Sequence, residues 1–408
     1  MDEGKILDVA SELGYQLAMC GAETFRIEES VSLILRSYGI RGEVFAIPNC
    51  MHVSVETENG PMTRLRRMGD HGTDLDAVER FTGLSRKICA RKPDPDTARR
   101  WLQETAQQRI YYSTWMILLG HFMGSFGFAL LFGGTVADGL CAGVCGLLVW
   151  LISKFMDGLG ANHFFKTLAS SFALALLAYG FTKLGVADNP DCVSIGTLML
   201  LVPGLLFTNA MRDIIYGDTN SGINRIILVL LTAVAIALGT AAAWNVAAAL
   251  WGAPESAGVM DYNLLQQMLP CLVGCCGFAV IFNIHGPGGL LCVLGGALAW
   301  IVYILVLKWT GSDLHGYFWG AFVASLYSES MARIRKYPAI SYLVVSIFPL
   351  IPGAGVYYTM NYAVQGQMDQ FASQGMHTAA IAGIMAVGIL LISTVFRLYS
   401  NWKRSRSK

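Results

Sequence analysis

Up to about residue 110, apolar positions recur at helical or strand spacing among polar ones; beyond Tyr112 the polar positions thin out into long apolar runs. In residues 4–20, Ile6, Val9, Leu13 and Leu17 fall three or four apart, and Ile27, Val31, Ile34 and Leu35 do so in 22–38, which predicts two amphipathic helices. Three short stretches, VFAIP, MHVSVET and MTRLRRM, alternate or end in turn residues and predict strands, with Asn59-Gly60 as the hairpin turn between the last two. Helices are expected again at 74–91, capped near Thr73, and at 95–109. Glu23 and Arg26 stand at i,i+3 and are expected to pair on one helix face.

From Tyr112 onward there are ten candidate membrane spans, centred on 114–132, 136–153, 164–184, 193–211, 226–250, 263–283, 288–307, 313–332, 340–362 and 377–397. Most reach the roughly 20 apolar residues that cross a bilayer. The fourth and ninth are interrupted by Pro203-Gly204 and Pro352-Gly353. With the N-terminus inside, the inward loops carry Lys154, Lys166, Arg212, Arg225, Arg333, Arg335 and Lys336, against Lys183 and Lys308 outside. That asymmetry, with the basic tail NWKRSRSK, places both termini in the cytoplasm.

Sliding the chain by 150 residues lays GSFGFALLFGGTVADGLCAGVCGLLVW over GCCGFAVIFNIHGPGGLLCVLGGALAW, matching Gly124, Gly127, Phe128 and Trp150 with Gly274, Gly277, Phe278 and Trp300. An offset of 149 brings Pro203, Gly204 and Met211 onto Pro352, Gly353 and Met360, and Gly217 onto Gly366. Each copy holds five spans, an odd number, so the second must enter the membrane upside down. The expected fold is therefore an all-α polytopic membrane protein: an inverted five-plus-five repeat behind an N-terminal soluble α/β domain. The expected boundaries are a cytoplasmic domain at 1–110, membrane repeats at 111–251 and 262–400, and a cytoplasmic tail at 401–408. Inverted repeats and discontinuous helices mark secondary transporters, with sites near the midplane.

Composition sharpens the division. Of the 408 residues 54% are apolar and 14% charged, and residues 1–110 hold 15 Lys/Arg and 17 Asp/Glu, leaving 14 and 11 for the rest. This excludes a purely cytosolic enzyme, a secreted disulfide scaffold and a single-pass anchor. The start, MDEGKILDVASELGYQ, is acidic and amphipathic, unlike a secretory signal. No basic stripe points to nucleic acid. The ten cysteines follow neither metal nor disulfide spacing; those in apolar runs, such as Cys141, Cys145, Cys271, Cys275, Cys276 and Cys292, are expected as small packing residues. No cofactor or metal is implied. The expected partners are a small amino acid or carboxylate and the lipid bilayer, with homo-oligomerisation left open.

The two breaks define the candidate substrate site. Pro203, Gly204, Pro352 and Gly353 can expose backbone groups, and freed amides at a half-helix start suit a substrate carboxylate. Thr208, Asn209, Arg212 and Asp213 follow the first break; Tyr357, Tyr358 and Asn361 follow the second. Asp138, Asp213 and Glu329 are candidates to carry a coupling proton, although Glu329 has Arg333 at i+4 and a structural salt bridge accounts for it equally well. His121 reads as a packed histidine, and Gly120, Gly124, Gly127, Gly139 and Gly143 as residues that allow close helix packing.

GAETFRIEESV, PNCMHVSVETENGPMTRLRRM and PGLLFTNAMRDIIYGDTNSGINR resemble the threonine/serine exporter family, and Gly274 to Val395, with IPGAGVYYTMNYAVQG, resembles its second-half module. In some relatives the two parts are separate polypeptides, including a pair resembling a succinate exporter; here they are fused. The resemblance implies efflux of small hydroxy amino acids across the inner membrane, driven by the membrane potential or proton gradient. Onto the family's pattern fall Pro203, Gly204, Asn209, Arg212, Asp213, Gly217, Asp218, Ser221, Gly222 and Arg225. Relatives often carry basic residues in the loop that here reads NIHGPGG.

The expectation is a non-enzymatic secondary transporter of threonine and serine, with a small dicarboxylate such as succinate as the alternative. An amino-acid site wants an acidic partner for the ammonium, and Asp213 or Asp138 qualifies; a dicarboxylate site wants a second cation, and Arg212 qualifies. An enzyme built on the N-terminal domain would rest on His52 and His71, neither with a recognisable partner. A ligand sensor remains the other rival.

Overall fold

In the computed structural model, which describes residues 2–58, 60–69, 72–252 and 258–406, the chain forms two compact units. The first comprises Met1–Tyr112 together with Phe282–His285 and Ala332–Ser341. It starts with helices α1 (Glu3–Met19) and α2 (Thr24–Ser37). The Asp2 side chain caps α1 by accepting from the Lys5 amide at 3.1 Å. The expected stripe of Ile6, Val9, Leu13 and Leu17 is buried. Gly14 admits α2 and the sheet so closely that a Cβ there would lie 2.7 Å from Val31 and 2.8 Å from Met51 Sδ.

Strands β1 (Gly42–Ile47), β2 (Cys50–Thr57) and β3 (Gly60–Arg67) form an antiparallel meander. Alternation along β2 buries Met51, Val53 and Val55 and exposes His52 and Glu56. Arg64 and Arg66 of β3 pair with Asp8 and Glu12 of α1 at 2.6 and 3.0 Å. Asn59 and His71 lie outside the described residues; Gly60 has the positive φ (+107°) expected in a tight turn. Helix α3 (Leu75–Arg91) is capped by Asp74, one residue beyond the expected Thr73, and α4 (Pro95–Gln107) by Asp94 with Pro95 in its first turn. The expected Glu23–Arg26 pair needs correction. Glu23 is the extended N-cap residue of α2 and stands before the helix face, where Arg26 pairs with Glu29 at 3.2 Å.

The two distant segments are stitched into this unit by named bonds. The Leu75 amide donates to the Phe282 carbonyl at 3.0 Å. Asn283, held at φ +57°, donates from Nδ2 to Asp74 Oδ1 and to the Ile110 carbonyl at 2.9 and 2.8 Å. The Tyr112 hydroxyl donates to the Ile284 carbonyl, its ring stacks on His285 at 4.1 Å, and Arg86 donates to the Lys336 carbonyl at 2.9 Å.

Past Tyr112 the described residues form helices joined by turns and loops: α5 (Thr114–Leu131), α6 (Val136–Gly158), α7 (His163–Lys183), α8 (Pro190–Leu198), α9 (Gly204–Tyr216), α10 (Thr219–Trp251), α11 (Leu264–Ile281), α12 (Pro287–Thr310), α13 (Asp313–Arg335), α14 (Ala339–Ser346), a 3₁₀ turn at Phe348–Leu350, α15 (Gly353–Val364) and α16 (Met368–Arg406), of which all but the end of α13 and the start of α14 lie in the second unit. Among the described residues seven helices are long and apolar enough to cross a membrane: α5, α6, α7, α10, α11, α12 and α16. The α14/α15 pair, bent by 43°, is an eighth candidate. Leu140, Val144, Leu151 and Phe155 leave an exposed apolar stripe along α6 that suits lipid. Of the six cysteines expected to pack, Cys141, Cys145, Cys271, Cys275 and Cys292 are buried and Cys276 is half-buried; all are free.

Packing within this unit recurs in pairs. Gly127 of α5 meets Gly274 and the Pro270 carbonyl of α11; Gly277 of α11 meets Gly124 and the Gly120 carbonyl of α5. Phe128 and Phe278 meet edge to face at 5.5 Å across the same seam. Gly239 of α10 sits against Leu168, Ser171 and Phe172 of α7, and Gly388 of α16 against Phe318, Ala321 and Phe322 of α13.

Candidate functional site

Both Pro-Gly pairs interrupt helices in the same backbone conformation. Pro203 (φ −82°, ψ 38°) precedes α9 and Pro352 (φ −75°, ψ 47°) precedes α15, neither providing a side-chain cap. The two breaks also pack on each other. Gly204 has Ile351 where a Cβ would go, and a Cβ on Gly353 would lie 3.1 Å from Val202 and 3.0 Å from Met199 Sδ. Proline forbids the helix from running through, and glycine lets the second broken segment close on the first.

Around this crossing the candidate residues separate into distinct places. Thr208 is buried, and its hydroxyl donates to the Gly204 carbonyl of its own helix at 3.2 Å. Tyr357 is 8% exposed and belongs to the packed core with Ala178, Leu198 and Ala243. Asn209 and Asn361 are half-buried. Two and a half turns past its break, roughly 13 Å along α9, Asp213 lies between two guanidiniums. Arg225 of α10 approaches it at 3.0 Å and Arg212 at 3.7 Å, all three largely shielded. Asp218 caps α10 by accepting from the Ser221 amide.

Asp138 is fully buried and caps α6. Its Oδ2 accepts from the Thr135 amide (2.8 Å) and hydroxyl (3.0 Å), and its Oδ1 from the Asp188 and Asn189 amides at 2.8 and 2.9 Å. Glu329 is half-buried on α13, four residues before the exposed Arg333. His121 bonds through Nδ1 to the Ile117 carbonyl at 2.8 Å. Among the described residues no cluster of His, Cys, Asp and Glu is arranged to hold a metal.

Tyr358, unlike its neighbour, opens onto a cavity of about 260 Å³ between α8 and α15. Sequence reasoning missed its other polar walls, Asn189 and Asp191, and the apolar Phe132, Ile195 and Val259. The stretch Asn189-Pro190-Asp191 carries only the signature of a helix start: Asn189 Oδ1 accepts from the Asp191 and Cys192 amides at 3.0 and 3.2 Å, and proline opens α8.

Residues 8–247 match a family described as "Putative threonine/serine exporter", and 267–395 match a second, described as "Threonine/Serine exporter, ThrE". A protein of Mycobacterium tuberculosis named "Probable threonine/serine exporter" is 21% identical over 95% of this chain and 75% of its own. The "Threonine/serine exporter" of Corynebacterium glutamicum is 21% identical over 95% of this chain and 81% of its own. No solved structure matches the chain.

Proposed function

This chain belongs to the threonine/serine exporter family, and on that premise we propose that it carries threonine and serine out of the cell as a secondary transporter driven by the proton-motive force. Membership makes it a transporter rather than an enzyme, and its apolar helices make it a multi-pass protein of a bacterial membrane.

The observation that carries the reading is the mutual packing of the two Pro-Gly breaks: Gly204 against Ile351, Gly353 against Val202. Val202 and Ile351 occupy equivalent positions before their Pro-Gly pairs, so each break presents to the other what it receives. The reciprocal contacts of α5 with α11, and the contact of α10 with α7 that recurs as that of α16 with α13, support the same inverted repeat of five and five. Exchanging the conformations of two such halves exposes one site alternately to either side.

Parity supports ten spans. The first unit contains Phe282–His285 and Ala332–Ser341 as well as Met1–Tyr112, and a compact water-exposed body stays on one side of a membrane. The chain must then cross an even number of times between these segments. Six crossings precede Phe282 only if α8 and α9 together form a broken span, and two separate His285 from Ala332 only if α13 crosses. With α14/α15 and α16 the total is ten, and both termini share a side. The excess of Lys and Arg in the loops of that side makes it the cytoplasm, so the first unit is a soluble cytoplasmic domain.

In this arrangement α9 and α14 are inner half-helices and α8 and α15 outer ones. Substrate binds at the crossing, with Asn209, five residues past Gly204, offering a side-chain hydrogen bond and Asn361 lying further along α15. The candidates for the coupling proton are Asp138, held in its cap, Asp213, beside two arginines, and Glu329 on α13.

Proteoliposomes containing the full chain and labelled threonine, serine or succinate, with and without an imposed proton gradient, test the proposal. Gradient-responsive efflux of threonine or serine supports it. Succinate efflux alone, or ligand binding without flux, overturns it.

A further inference from the structure

We infer that the cavity between α8 and α15 is the outer substrate station of this transporter, selective for amino acids because the Asp191 carboxylate receives the substrate ammonium; the inference rests on the exporter reading above. The proposal starts from the cavity's charge. Among its described lining residues Asp191 is the charged one, Asn189 and Tyr358 are polar, and Phe132, Ile195 and Val259 form an apolar wall. A full negative charge outweighs the positive half-charge at the start of α8. Tyr358 lines the same space. A dicarboxylate would have to bring a second negative charge beside Asp191, whereas a zwitterion brings an ammonium to it.

The site is held from two sides. Asp138 accepts from the Asp188 and Asn189 amides, and Asn189 in turn accepts from the Asp191 and Cys192 amides, so a buried carboxylate fixes the turn that carries Asp191. Across the cavity, the Met260 amide donates to the Gly133 carbonyl at 2.8 Å and the Tyr262 hydroxyl to the Gly134 carbonyl at 2.9 Å. These bonds pin the segment that brings Val259 into the cavity's lining. Asp138 is thus a positioning residue, acting on the substrate only through Asn189. At about 260 Å³ the cavity is smaller than the roughly 300–1,000 Å³ of sites for drug-sized ligands. It suits an amino acid with a short side chain, whose hydroxyl the Tyr358 hydroxyl can meet.

Counterflow in proteoliposomes of the full chain tests this. Labelled serine exchanges against unlabelled serine, glycerate (hydroxyl in place of ammonium) or succinate added at the outer face. Wild type should be competed by serine and by neither anion. In Asp191→Asn the outer-face KM for serine should rise roughly ten- to hundredfold, the worth of a charge-assisted hydrogen bond, and glycerate should become a competitor. Asp191→Glu keeps the charge and should keep the exclusion of glycerate. An Asp191→Asn protein with unchanged melting temperature, serine KM and discrimination overturns the assignment while leaving the exporter reading intact. Absence of threonine and serine flux in wild type would instead sink the exporter reading itself. Should Asp191→Asn fail to fold, an Asp191→Glu protein that admits glycerate as well as serine overturns the assignment.

Discussion

Gly204 and Ile351 occupy one another's space: where residue 204 would carry a Cβ, the Ile351 side chain lies. The broken helix of one half therefore closes on that of the other over a hydrogen atom, and a methyl group there must displace packed neighbours. Gly204→Ala should cost about 1–3 kcal/mol, as overpacking does, and slow efflux. In an Ile351→Ala background the same substitution should cost less than half as much. A double-mutant cycle on unfolding in detergent measures this coupling; strictly additive costs would show that the crossing is not what Gly204 serves.

Asp138 accepts four hydrogen bonds, and an amide in its place would turn two donors on the Thr135 or Asp188–Asn189 groups. Asp138→Asn should lower stability by about 2 kcal/mol or more, read as a lower melting temperature. If the melting temperature held while efflux lost its response to the proton gradient, Asp138 would be the coupling carboxylate.

Glu79 on α3 gives the first unit a pH dependence. Burial above all, and then the Asp76 carboxylate, lift its pKa from 4.5 to about 6, against the Tyr337 hydroxyl and the Arg335 and Arg80 guanidiniums, which favour the charged form. The folded state thus keeps a proton that the unfolded chain releases, so this group's contribution to stability falls as pH rises from about 4.5 to 6 and is a destabilisation above that. Glu79→Gln should remove the slope: relative to wild type, its melting temperature should rise between about pH 4 and pH 7. A constant difference across that range would contradict the linkage.

Asn283 combines a left-handed backbone with two donated bonds. Asn283→Ala loses both and strains the backbone, for an expected loss of about 2 kcal/mol or more; Asn283→Gly should recover only the backbone part. Hydrogen exchange at the Leu75 amide, bonded to the Phe282 carbonyl, should accelerate in both variants.

Sequence periodicity located α1 to α4, the three strands and the helices past Tyr112, because each buries one face or is apolar throughout. It put the cap of α3 near Thr73, where Asp74 serves, but paired Arg26 with the wrong glutamate, since i,i+3 spacing cannot tell an N-cap residue from one inside the helix. The Pro-Gly breaks were legible because proline interrupts an apolar run and the interruption repeats 149 residues later. Asp191 was not. It follows a cap and a proline at an ordinary helix start, and its cavity gathers residues from α5, α8, α15 and the segment before α11, which no local pattern connects. The NIHGPGG loop was likewise read only for its lack of basic residues; its bonds to Asp74 and Ile110 span 209 and 173 positions.

Those long-range bonds set a timetable. Residues up to Tyr112 leave the ribosome well before Phe282–His285 and Ala332–Ser341, which belong to the same unit. At about 5–20 residues per second, Ser341 follows Tyr112 by roughly ten to fifty seconds. Until then the Leu75 amide, the Asp74 carboxylate and the Arg86 guanidinium await partners that α11 and α13 must deliver. Completion of this unit is therefore a late event in biogenesis, and its closure records that α11, α12 and α13 have been made.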